Sequence, residues 1–265
     1  LHLPRLIFVG QMDKEHANFE RVFADVKAHL SPKVLPVEVP IGEGSTFRGI
    51  VNLFSGKSHI YKPGTKSGEY DEVEVPAEHQ AEVKKYSDLL IETVAATDDA
   101  LIERYLGGEE IPREEVIAAL RTAVVAGSIV PLFVGSATLT FGMRALLTKM
   151  VEIFPAAADV PPPVDAPLLG RVFKTTSEPH VGDVTLFRLY AGTLKNGADV
   201  WNAEHEVAEK LNHLSVQQGR ERTEVGVLHA GDIGSVAKLR DTHTGDTFCL
   251  RDAPVRLSPI PFPEA

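Results

Sequence analysis

The sequence predicts an α/β unit carrying an α+β insert, followed by a β-barrel. Three observations lead there. Two apolar strands, Leu6–Val9 and Ile129–Val134, each release a small-residue loop that runs into a helix, and runs apolar throughout are what strands covered on both faces look like. Between them lies a stretch that is first β-rich and then helical. After Pro161-Pro-Pro163 the texture changes to short strands punctuated by glycine turns, as in a barrel. A chain of 265 residues, 43% hydrophobic and 24% charged, suits two or three compact units.

Residues 1–30 read as strand, turn (Gly10-Gln-Met-Asp13) and helix. Phe19, Val22, Phe23, Val26 and Leu30 share one helical face, and Ser31-Pro32 stops it. From Val34 to Val75 the pattern is β. Val37 and Val39 alternate with polar Glu38, Gly42-Glu-Gly-Ser45 turns the chain, and Phe47 to Phe54 is a strand. Ser55-Gly-Lys-Ser58 superficially suggests a phosphate loop. It lacks the glycine five residues earlier, where Val51 stands, and it leads into the strand His59-Ile-Tyr61 rather than a helix. It is a hairpin turn with Lys57 facing solvent.

Residues 77–126 are helical. Val83, Leu90 and Val94 mark a buried face with Lys84 and Lys85 outward. Thr97 caps a second helix that Gly107-Gly108 ends. Pro112 opens a third with Val116, Ile117, Leu120 and Val124 inward and Gly127 as its stop. The many glutamates here are either a solvated face or a partner-facing surface. After Ile129–Val134, a helix puts Leu146, Leu147, Met150, Val151 and Phe154 on one face and ends at Pro155. The proline-dense connector up to Pro167 is extended and semi-rigid. Beyond it, Asp183–Tyr190, Ala198–Trp201, Val207–Leu214, Gly231–Leu239 and Thr247–Leu250 read as strands, with Lys195-Asn-Gly197 as a hairpin signal.

In open α/β sheets, ligands sit where the carboxyl ends of strands release their loops. Two such loops, around Asp13 and around Ser136-Ala137, are thus expected to face one ligand. Asp13 offers two acceptor oxygens to paired N–H donors of a planar group. Ser136-Ala137 offers backbone N–H groups beside little bulk. Together they match the donor edge and O6 of guanine. The alternative for these residues is an ordinary turn or helix cap.

These residues resemble the base-reading loops of translational GTPases, Asn-Lys-x-Asp and Ser-Ala-x. The resemblance extends through His16-Ala-Asn-Phe19, Leu35-Pro-Val-Glu-Val-Pro-Ile41, Phe47-Arg-Gly-Ile-Val51 and Asp241-Thr-His-Thr-Gly-Asp-Thr247, and over almost the whole chain it is to elongation factor G. It implies the end of a P-loop-type GTPase domain at residues 1–33 and 128–156, an insert at 34–127, a linker at 157–167, the second (β-barrel) domain at 168–256, and a linker toward further domains at 257–265. It implies guanine-base contacts by Asp13, Gln11, Met12, Ser136 and Ala137, with GTP/GDP as cofactor and magnesium in the longer parent. Gly10-Gln11 departs from Asn-Lys, which removes a base-bracing amide and a cation, so a weakened or altered base site is expected.

The same resemblance implies a ribosomal partner, met by the barrel on small-subunit RNA and by the insert on stalk proteins, in promoting tRNA–mRNA translocation in the cytoplasm. Lys210, His213, Arg220 and Arg222 are then candidate RNA contacts or scattered surface charge. No phosphate loop, magnesium ligand or catalytic residue is found in these residues, so this chain alone is expected neither to hydrolyse nor appreciably to bind GTP. Opening at Leu1 almost directly into a strand, it reads as a segment of a longer protein, with Leu6–Val9 and Ile129–Val134 expected to expose an unpaired, self-associating flank.

A formal net charge of −10 argues against a general nucleic-acid glove. The single cysteine, Cys249, excludes an internal disulfide and is expected to pack. Neither a signal peptide nor an apolar run of membrane-spanning length is present. The ten histidines show no metal-ligand spacing. Three other readings compete: a release-factor or ribosome-protection GTPase or specialised paralogue, a non-enzymatic RNA-binding barrel, and an α/β enzyme using Asp13 as acid or base.

Overall fold

The structure is a computed structural model, described here for residues 3–65, 67–179, 181–219 and 221–261. The chain divides into two compact units that meet in sequence at Phe154 and Pro155.

The first unit runs β1 (Ile7–Val9), α1 (Phe19–His29), β2 (Val34–Pro36), β3 (Glu38–Ile41), β4 (Gly49–Asn52), β5 (Lys57–Tyr61), β6 (Tyr70–Glu74), α2 (Gln80–Ala95), α3 (Asp99–Leu106), α4 (Arg113–Val125), β7 (Val130–Val134) and α5 (Met143–Ile153). A parallel sheet of order β1-β7-β2 carries the α/β character, and an antiparallel sheet of order β3-β4-β5-β6 follows it. The two sheets are joined at Val37: its N–H donates to the Leu132 carbonyl of β7, and its own carbonyl accepts from Leu53 N–H. One continuous apolar core, from Met12 and Phe19 through Ile50, Leu90 and Leu120 to Phe133 and Ile153, serves both sheets and the helices.

That arrangement corrects three expectations. The insert does not begin at residue 34, because Val34–Pro36 pairs in parallel register with Val130–Leu132 and belongs to the α/β sheet. For the same reason β7 is not an unpaired flank: β1 and β2 lie on its two sides. Alternation sets Glu38 apart from its apolar neighbours, yet it is buried like the whole of β3. All residues of β3 and β4 are buried, so both faces of these strands are covered and a period of two carries no inside–outside information there.

In α5 the buried stripe is Ala145, Lys149 and Ile153, at intervals of four. Leu147, Met150 and Val151, expected inside, are 62%, 40% and 83% exposed. Lys149 takes the inner position by lying with its ammonium 5.0 Å from the centre of the Phe54 ring, a stem-buried placement that an apolar count does not anticipate. Helix α3 is capped by Asp98 rather than Thr97. The Asp98 carboxylate accepts from Ala100 N–H and Leu101 N–H, both at 3.0 Å, while the Thr97 hydroxyl donates back to the Val94 carbonyl. Asn52 and Lys57 face each other across the β4–β5 turn, which makes Ser55–Ser58 the hairpin the sequence indicated. Lys57 is only partly exposed and pairs with Glu74.

The second unit begins with a short 3₁₀ turn at Ala157–Asp159, closed by Ala156 N–H on the Asp159 carboxylate. The connector is therefore not extended throughout, and it bends again at residues 163–164. The strands are β8 (Leu169–Glu178), β9 (Gly182–Ala191), β10 (Thr193–Lys195), β11 (Ala198–Asn202), β12 (Val207–Leu211), β13 (Ser215–Gln218), β14 (Glu221–Glu224), β15 (Val227–His229), β16 (Ile233–Ala237) and β17 (Thr247–Cys249). A sheet of order β12-β11-β17-β8-β9-β16-β13-β14 curls about a core of Val172, Phe187, Leu189, Val200, Leu211, Val236 and Phe248, and β10 pairs with β15 beside it. Cys249 is buried, its thiol near the Trp201 carbonyl.

Asn196-Gly197 does turn the chain, but it makes no hairpin: β10 pairs with β15 and β11 with β12 and β17. Asn196 is held instead by distant groups, its N–H on the Gly226 carbonyl and its side-chain oxygen receiving Leu214 N–H. Among the described residues, no helix is long and apolar enough to cross a membrane.

Candidate functional site

The two loops expected to meet do meet. β1 and β7 run parallel and release their loops at the same end of the sheet. Met12 N–H donates to the Gly135 carbonyl at 3.1 Å, Ala137 N–H donates to the Gly10 carbonyl at 3.0 Å, and Gln11 and Ser136 form an isolated antiparallel bridge. The second loop is drawn tight by its glycines. A Cβ at Gly135 would lie 2.3 Å from the Phe141 carbonyl oxygen, and Gly142, at φ +85°, would bring one within 2.5 Å of the Val134 carbonyl oxygen. No side chain larger than hydrogen fits either place.

The five candidate residues divide by environment. Asp13 is half-buried; its Oδ2 lies 3.5 Å from Lys14 Nζ, and its Oδ1 is buried with no hydrogen-bond partner among the described residues. The neighbouring Ser136 hydroxyl holds the Asp13 carboxyl below the usual range, against the burial that raises it, and Lys14 adds to the lowering. The Asp13 carboxyl is thus held in its ionised form. Gln11 is exposed, and Met12 is buried in the core, so its side chain serves packing.

The amides of Ser136 and Ala137 are already engaged, Ser136 N–H with the Phe141 carbonyl and Ala137 N–H with the Gly10 carbonyl. The Ser136 hydroxyl accepts from Leu139 N–H. As arranged, those two amides are not free to donate to an O6 acceptor, and Asp13 Oδ1 is buried. At Gly10 a Cβ would come within 3.0 Å of the Phe8 ring, so any side chain there has to displace that ring.

In the second unit, Lys210, His213 and Arg222 come together with Lys238 around one groove of about 520 Å³. Arg222 pairs with Glu178 at 3.0 Å, and His213 lies 3.3 Å from Glu224; among the described residues Lys210 and Lys238 show no such pair. Arg220 lies outside the described residues. Sequence spacing did not group the histidines, yet His205, His243 and Asp246 are gathered with their ligand atoms within 4.8 Å of one another. His243 and Asp246 stand 38 and 41 positions beyond His205, too far for a spacing motif to register.

Residues 167–251 match the family described as elongation factor G domain 2. A crystal structure of a protein from Thermus thermophilus superposes on 98% of the chain with a TM-score of 0.81 at 30% identity. The chain spans 39% of the length of that protein. The curled sheet of the second unit and the α/β character of the first are what the sequence patterns predicted, and the domain match names the former. Residues 167–251 thus form a domain of the kind described as elongation factor G domain 2, a translation-factor domain.

Proposed function

We propose that the chain is the part of a ribosome-associated translational GTPase that promotes tRNA–mRNA translocation, carrying base-reading loops and a ribosome-facing barrel without phosphate-binding or catalytic groups. The match of residues 167–251 to elongation factor G domain 2 carries this reading. In it, Asp13 accepts the paired N–H donors of guanine through its ionised carboxylate, and exposed Gln11 lies over the base. The nucleotide supplies the phosphate chemistry, for which these residues hold no group. The Lys210–Lys238 groove contacts small-subunit RNA phosphate, and the acidic insert meets stalk proteins. The working compartment is the cytoplasm.

Co-sedimentation with ribosomes tests the barrel's role. The chain pellets with them at low salt, less as salt rises because phosphate contacts release counterions, and Lys210→Glu with Lys238→Glu weakens the pelleting. Binding indifferent both to salt and to these charges sinks the reading. Calorimetry with GDP tests the base loops separately. With the Ser136 and Ala137 amides engaged and no phosphate site, only weak heats are expected, and micromolar affinity overturns the claim that these loops alone do not hold nucleotide.

A further inference from the structure

We infer that His205, His243 and Asp246 form a binding site for a late first-row divalent metal ion, on the face of the second unit where the β11–β12 turn meets the loop before β17. Two imidazoles and a carboxylate are a donor set suited to zinc, copper(II), nickel or iron(II). His205 Nε2 and Asp246 Oδ2 are 3.4 Å apart. Two ligands bound at about 2.0–2.1 Å to one tetrahedral ion lie roughly 3.3–3.4 Å from each other, so this pair already stands at the spacing of a shared ion. The His205 and His243 rings are 5.1 Å apart at centroid and tilted by 47°, with every ligand atom of the three within 4.8 Å of the others. Both imidazoles are exposed and Asp246 is buried, which leaves the outer coordination positions to water.

What distinguishes this group from a chance surface pairing is the side chain that holds both loops. Asn202, fully buried at the end of β11, accepts His205 N–H at 3.2 Å and Glu204 N–H at 3.1 Å through its Oδ1. Its Nδ2 donates to Asp246 Oδ2 at 2.9 Å and reaches the Asp241 carbonyl and the Thr242 hydroxyl. The Asp246 carboxylate also receives His243 N–H at 2.7 Å. One amide therefore fixes the backbone of one histidine and the side chain of the carboxylate, which in turn fixes the backbone of the other histidine. Two glutamates brace the same loop: Glu209 accepts Arg240 N–H and Asp241 N–H, and Glu204 accepts Thr247 N–H. Hydrogen bonds behind the donor groups orient ligands and raise affinity.

Isothermal titration of the chain, free of any histidine tag, with Zn²⁺ tests the inference. One ion per chain is expected. His205→Gln and His243→Gln each weaken binding at least ~10-fold, while His213→Gln, an exposed histidine elsewhere in the same unit, leaves it unchanged. Both site residues are exposed, so the far-ultraviolet circular dichroism of the variants is expected to match the parent. Co²⁺ adds visible d–d bands to the parent that the two site variants lack. Absence of saturable Zn²⁺ binding by the parent overturns the proposal, as does equal affinity in all three variants.

Discussion

Glu38 has both carboxylate oxygens buried without a hydrogen-bond partner among the described residues. Burial pushes its carboxyl up to about 8, and the nearby Lys149 charge only partly offsets this. Burial also raises the Tyr61 hydroxyl, with the Glu38 charge adding to the effect. An ordinary glutamate titrates near 4.3, so between about 4.3 and about 8 the unfolded chain loses a proton that the folded one keeps. Stability from this group is therefore present below the lower value and falls by about 1.4 kcal/mol per pH unit through that window. Urea unfolding of Glu38→Gln against the parent is expected to give equal stability near pH 4 and a growing advantage for the variant up to pH 8. A variant less stable at pH 7 would mean that Glu38 is ionised and paired with Lys149. Asp13 shows the opposite environment, a carboxyl held low by a hydroxyl and a cation.

Among the elements, α3 depends most visibly on one residue. It is an eight-residue helix, too short to persist without packing and caps, and Asp98 satisfies two of its first N–H groups. Asp98→Ala is expected to cost about 1 kcal/mol, read as an earlier urea midpoint with an unchanged slope. An undiminished midpoint would show the cap to be redundant. The periodicity of residues 83–94 and 116–124 made α2 and α4 legible, because each buries an apolar face; in α1 only Phe19 is fully buried, and Leu30, expected on the same face, is 70% exposed. In α5 the sequence misled, because a lysine fills the inner stripe while Leu147, Met150 and Val151 face outward. The Asn196-Gly197 turn misled for a related reason. A two-residue turn fixes the local backbone but not the partner strand, and long-range pairing moved β10 to β15.

Across the whole molecule, a net charge of −10 coexists with a groove where four basic side chains converge. Only the folded arrangement separates local from total charge. The two-unit division was written in the chain by proline density after Phe154, since proline neither continues a helix nor pairs in a sheet interior. The meeting of the Asp13 and Ser136 loops was equally legible, because parallel apolar strands release their loops at one end of a sheet. What escaped was the state of the amides there. Whether Ala137 N–H faces a ligand or the Gly10 carbonyl is a matter of a few ångströms of loop closure, which residue identity does not encode.

By itself the sequence determined where strands and helices form, where one unit gives way to the next, and which two loops would share an end of the sheet. These follow from local periodicity, turn chemistry and strand burial, all properties of short windows. Tertiary structure alone decided that β2 joins the α/β sheet, that Glu38 and Lys149 are inside, and that His205, His243 and Asp246 stand together behind one asparagine. Those outcomes depend on contacts between segments far apart in the chain, and no short window of residues contains both partners.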